Sequence, residues 1–168
     1  MKALIIIQVL IAFTAGLTAL FLMYKSMNLF MKKKFQIEES NSAFAILQVG
    51  ILISTSFIMA SVLTAAVNAV QFLNTGSTVE LNNILTSLTY IIVFILIGML
   101  FTFAVIFSSI FIFFQLTQIN EWEQIKLNNI PTSLISAALI LGLALIMDDY
   151  IGHLCEALIP YPDVIQIR

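Results

Sequence analysis

Asp149, His153 and Glu156 are the residues whose types and spacing come closest to chemistry. They stand at i, i+4 and i+7, so a helix would carry them on one face. Asp148 and Cys155 lie beside them. Carboxylate and imidazole at that spacing suit a divalent metal. An Asp and a His one turn apart also pair well without metal. The plainer expectation is a solvated helix end, with no metal and no cofactor. A second group is amide and hydroxyl: Gln8, Gln48, Asn68 and Gln71, with Gln115, and Ser54, Thr55, Ser56 and Thr64 among them. Proton relays and ion-coupled transport need Asp, Glu, His or Arg at depth, and here the buried candidates are uncharged. Gln48 and Asn68 are expected to bond across helices; the alternative is a polar lining for a small channel. The chain shows no phosphate-binding glycine loop, nucleophile elbow or zinc-protease signature, so no catalytic residue and no enzyme is expected.

The elements that must position these residues follow from composition. Of 168 residues, 61% are hydrophobic and 10% charged, and mean hydropathy is +1.07. A soluble domain carries about 25% charged residues, so the solvent for most of this surface must be lipid. The net charge of −2 and the lack of a broad basic surface exclude nucleic acid as a partner class. One cysteine permits no internal disulfide.

Charges divide the chain into apolar runs. Lys25 to Glu39 holds four lysines and two glutamates, and Ser40 to Val79 holds no charge. A bilayer core of about 30 Å needs roughly 20 apolar residues. The runs predict four spans in an all-α integral membrane protein, over about 4–30, 43–73, 85–116 and 132–158. The first run, Ala3 to Met23, is longer than the roughly 7–15 residues of a signal-peptide core and is read as a span. Asn74-Thr75-Gly76-Ser77-Thr78 is a turn by composition. Asn82 or Asn83 is expected to cap the third helix, Ser40 or Asn41 the second, and Asn129 the fourth, with Pro131 at its start. Residues 159–168 form a tail.

Lysine sets the expected orientation. Lys25, Lys32, Lys33 and Lys34 flank the first loop, Lys126 lies in the last, and the middle loop has neither Lys nor Arg. The positive-inside rule then places residues 31–42 and 117–130 in the cytoplasm and both termini outside. Trp122 is expected at headgroup level, with Glu121 and Glu123 facing water on either side.

Gln36 to Ser61 and Gln124 to Asp149 align without gaps at an offset of 88 residues, with Gln36/Gln124, Ile37/Ile125, Asn41/Asn129, Ile58/Ile146 and Met59/Met147 identical. Each copy is a polar segment, an Asn, then an apolar run with small residues four apart: Gly50 and Ser54 in one, Ala138 and Gly142 in the other. Given the orientation above, the repeat is a tandem parallel duplication of a two-helix hairpin, 1–73 and 85–158. Small residues four apart let helices approach closely in lipid, so these four are the expected packing residues, within one bundle or between copies in a homo-oligomer.

Asn120 to Gly142, NEWEQIKLNNIPTSLISAALILG, resembles the characteristic segment of the YjfL-like family of small bacterial inner-membrane proteins, domain of unknown function 350. Asn41, Ala43, Ala45 and Gly50 match its pattern once; Asn129, Ser133, Ala138 and Gly142 match it again. Pro131 and Ala138 stand where the family usually has Ala and Gly, and Tyr150 to Arg168 extends past its usual end. The resemblance implies four spans in a bacterial inner membrane, no established activity, and membrane-stress proteins as partners. The expected role is a non-enzymatic, oligomeric scaffold or component of an envelope-stress-associated membrane complex; the alternative is a small channel or facilitator.

Overall fold

The computed structural model describes residues 2–36, 41–74, 81–117 and 120–158, and their side chains except those of 2–9, 11, 34, 72–74 and 81–88. The described residues form five α-helices: α1 (Lys2–Phe30), α2 (Ser42–Asn74), α3 (Leu81–Leu116), α4 (Glu121–Lys126) and α5 (Ile130–Ala157). A π-helical turn, Met31–Phe35, closes α1. It ends at Gln36, whose left-handed backbone (φ 53°) lets its N–H return to the Met31 carbonyl. α3 already begins at Leu81, so Asn82 and Asn83 stand within its first turn and neither is its N-cap: the helix starts earlier than the sequence suggested. The expected turn at 75–78, the side chain of Gln8, Ser40 and the tail 159–168 lie outside what is described.

Three helices are each long and apolar enough to cross a bilayer: Ser42–Gln71 within α2, Thr89–Leu116 within α3, and α5. The protein is therefore an all-helical, membrane-embedded chain among its described residues. The spans of 28 to 30 residues reach about 42–45 Å at 1.5 Å per residue, which exceeds a 30 Å hydrocarbon core and calls for tilt.

α2 is the central helix, packed against α1, α3 and α5. Its composition explains why: Gly50, Ser54, Ala65, Ala66 and Ala69 let three neighbours come close. Two core clusters stack along it. One joins Met23, Met27 and Met31 of the α1 end to Phe44, Leu47 and Ile51 of α2, Ile106 and Ile110 of α3, and Ile140 of α5. The other joins Ile58, Val62 and Ala65 of α2 to Phe94 of α3 and Ala144, Ile151 and Cys155 of α5. Along α2 the contacting α3 residues descend in number, so α3 is antiparallel to α2. Those of α5 ascend, so α5 is parallel to it. Large apolar side chains point outward on every long helix, among them Phe13, Leu17, Leu96, Leu100, Leu134 and Ile146. That is a lipid-facing surface rather than a fault in packing, because acyl chains solvate it.

Candidate functional site

The seam between α2 and α5 is the most intimate contact in the molecule. Gly50 sits directly against Ala137. A Cβ built on Gly50 would lie 2.6 Å from the Ala137 Cβ and 2.9 Å from its Cα. Ser54, Ser133 and Ser136 are buried along the same line. Of the four residues singled out for packing, Gly50 and Ser54 lie in this seam. Ala138 and Gly142 do not: Ala138 is exposed, and nothing stands within 4 Å of a Cβ on Gly142. The small-residue stripe of α5 faces away from the rest of its own chain.

Polar groups along the spans are spent inside the protein. The hydroxyls of Ser54, Thr55, Ser56 and Thr64 donate to the carbonyls of Gly50, Ile51, Leu52 and Ala60, each four residues back. Such back-bonding satisfies a hydroxyl in a medium with no water. The groups a channel lining would present are thus turned onto helix backbone. Gln48 Nε2 donates to Asn28 Oδ1 of α1 at 3.2 Å, in a buried position.

The lysine-rich end is tied by asparagines. Asn41 Oδ1 accepts the Phe44 N–H at 2.8 Å, capping α2. Its amide donates to the carbonyls of Ile125 and Lys126, at 2.8 and 3.3 Å, and so closes α4 as well. In the same way Asn129 Oδ1 accepts the Thr132 N–H at 3.4 Å, and its amide donates to Gln124 Oε1 at 2.8 Å. The two aligned asparagines thus cap their helices at the same position, three residues on. Asn128 completes the arrangement. It is left-handed (φ 62°), a conformation Asn tolerates better than most residues, and its Oδ1 accepts the Ala43 N–H at 2.9 Å. The residue aligned with Ala43 is Pro131, which has no N–H to satisfy. That accounts for the proline: α5 needs no counterpart of Asn128.

Trp122 is held within the chain. It stacks on Phe35 at 4.2 Å and meets Phe114 edge-on at 4.4 Å, with Phe30 at 6.0 Å. The aromatic cluster clasps the π turn, α3 and α4 together, a stronger constraint than headgroup anchoring alone. The expectation that Glu121 faces water is wrong. Glu121 is 3% exposed, bonded through one oxygen to the Thr117 hydroxyl, and its Oε2 is buried without a hydrogen-bond partner. The short α4 begins at this residue and turns it under the aromatic cluster, while Glu123 stays exposed. A buried carboxylate with one oxygen unsatisfied is costly. Glu121→Met, which keeps the side-chain length, leaves no buried polar atom unpaired there and leaves the Thr117 hydroxyl its bond to the Phe113 carbonyl, should therefore raise thermal stability by about 1 kcal/mol, measured as midpoint shift in a detergent-solubilised melt.

At the other end, Ser61 Oγ donates to Asp148 Oδ1 at 2.5 Å, and Asn68 Nδ2 donates to Glu156 Oε1 at 3.5 Å. His153 Nδ1 lies 3.6 Å from Glu156 Oε2, with the His side chain 79% exposed. Asp149 is exposed, and no group of three or more His, Cys, Asp or Glu side chains poised for a metal occurs among the described residues. Glu156 serves the α2–α5 seam through Asn68 instead. Asn128 was not singled out in the sequence, and the bond from Ser61 to Asp148 and the burial of Glu121 were not foreseen there. Asn128 alone carried a signal, as the second member of an Asn-Asn pair ahead of Pro131.

Comparison with curated proteins and with solved structures found no match. A family model described as Domain of Unknown Function (DUF350), by contrast, matches residues 1–148, which take in all of α2 and most of α5 with their capping asparagines, so the chain belongs to that family.

Proposed function

We propose that this protein is a non-enzymatic membrane scaffold that works as a homo-oligomer. α1 serves as a fourth span, and the chain is a tandem duplication of a helical hairpin. The observation that carries the reading is the division of small residues. Gly50 and Ser54 close the bundle, whereas Ala138 and Gly142 present an equally small stripe outward, on a helix that stays in lipid. A small stripe gains little against acyl chains but allows close van der Waals approach of another helix. Spans α2 and α3 hold no Asp, Glu, Lys, Arg or His between Ser42 and Gln71 or between Thr89 and Leu116, so ion coupling has no carrier there. The lysine-rich end, with Lys32 and Lys33 exposed, faces the cytoplasm of a bacterial inner membrane. It suits contact with anionic headgroups or with membrane-stress partner proteins.

The test is mass by light scattering in mild detergent. The wild type should run as a defined oligomer, and Gly142→Leu should shift it to a smaller species without loss of helix content. A wild-type monomer, or an unchanged mass in Gly142→Leu, would overturn the scaffold reading.

A further inference from the structure

We propose that the cavity at the lysine-rich end of the bundle binds an organic ammonium ion. Glu121 is its counter-ion, and the aromatic side chains around Glu121 are the wall for its apolar body. Every lining residue belongs to one chain, so the site does not depend on how many copies assemble.

The cavity has a volume of about 590 Å³, within the range of small-molecule sites. It lies between the end of α1, the π turn, α3 and α4, and its lining includes Phe30, Phe107, Phe111, Phe114, Trp122 and Glu121. On α3 the lining runs from Phe107 to Gln115, about 12 Å at 1.5 Å per residue. That part lies inside the span Thr89–Leu116. The other end is at the loop, beside Asn120 and Glu121. The cavity therefore has the polarity of an amphiphile in a bilayer leaflet, with charge at the loop and apolar wall toward the membrane interior. Aromatic rings attract a cation as well as an apolar body, because their faces are electron-rich.

Glu121 supplies the charge. One of its oxygens holds the Thr117 hydroxyl, and among the described residues no donor meets the other, Oε2, although it is buried. Lys33 of the π turn and Lys126 of α4 are exposed. A pure hydrocarbon guest would leave Oε2 unpaired, and an acidic guest would be repelled. A divalent metal takes about six oxygen ligands, and no group of three or more His, Cys, Asp or Glu side chains is gathered for one among the described residues. A primary ammonium on an apolar body meets both demands. One of its N–H groups donates to Oε2 in a charge-assisted bond, and the body packs against the rings. Glu121 also costs stability where it stands, and stability given up at one residue is a common cost of binding there. The headgroup of an aminophospholipid and a free amine carry this same chemistry.

Trp122 is the only tryptophan of the chain and lines the cavity, so its fluorescence reports occupancy directly. The full-length protein in phosphatidylglycerol nanodiscs is titrated with 4-phenylbutylammonium and with pentylbenzene, its uncharged isostere. The ammonium should shift Trp122 emission saturably, and pentylbenzene should bind roughly tenfold more weakly or worse, as loss of a charge-assisted hydrogen bond implies. Glu121→Met, expected to be at least as stable as the wild type, should abolish that preference. The same variant in the same discs corrects for the general attraction of a cation to anionic lipid. Phosphatidylethanolamine added to the discs separates the two sources: competition with the probe assigns the site to the lipid headgroup, and its absence assigns the site to a free amine. Equal binding of the two probes by the wild type, a preference unchanged in Glu121→Met, or no saturable response at all would each overturn the ammonium site.

Discussion

Gly50→Leu should unfold the α2–α5 seam, whereas Gly142→Leu should leave the fold intact. The two glycines occur in matching stretches of the chain and differ only in what stands opposite them. At Gly50 even a single added carbon would meet the Cα of Ala137 at 2.9 Å and its carbonyl oxygen at 3.2 Å. Backbone cannot rotate out of the way as a side chain can, so α2 and α5 must move apart. Separation would loosen Ile58, Ala144 and Ile151, which share one cluster across the seam. Overpacking typically costs 1–3 kcal/mol and sometimes more. The expected loss is about 2 kcal/mol for Gly50→Ala and ~3 kcal/mol or more for Gly50→Leu, read from unfolding in a detergent titration. Gly98 is a useful intermediate. Its missing Cβ faces the Val62 methyl carbons at 2.5 and 2.9 Å, a side chain with some freedom to shift, so Gly98→Ala should cost less than Gly50→Ala. Equal stability of Gly50→Leu and Gly142→Leu would show that the seam is not where the bundle closes.

Asn41→Ala should produce the second large effect, because one side chain serves two helices. Its oxygen caps α2 through Phe44, and its amide closes α4 through Ile125 and Lys126. Loss of an N-cap alone costs about 1 kcal/mol. Two carbonyls deprived of their donor near the membrane surface raise the total to about 2–3 kcal/mol. Asn129→Ala should cost less, since its amide meets a side chain, Gln124, that can turn to water. Asn128 allows the contributions to be separated. Asn128→Gly keeps the left-handed backbone and loses only the bond to Ala43, whereas Asn128→Ala adds roughly 1 kcal/mol of strain. Because Asn41 and Asn128 act on the same pair of helix ends, their double mutant should be less destabilised than the two single losses combined. Independent losses would mean that the asparagines do not form one hub.

Much of this protein was legible before any coordinates. Long uncharged runs between short charged loops leave few alternatives to membrane helices, because backbone polar groups in lipid must be satisfied within the segment. The two aligned asparagines were readable as caps for a local reason: a cap bonds three residues along its own chain. Distance in sequence removed that legibility elsewhere. Asn128 bonds a residue 85 positions away, and Glu121 is buried by aromatics drawn from the end of α1, the π turn and α3 as well as by its neighbour Trp122. No window of sequence holds those relations. The same limit explains the small-residue stripes. Gly50, Ser54, Ala138 and Gly142 look alike in composition and spacing, and sequence by itself determined that each can support close helix packing. Only the tertiary structure decided which do so within the chain. α5 meets α2 through Ala137 rather than Ala138, a rotation of about 100° that buries one stripe and turns the other outward.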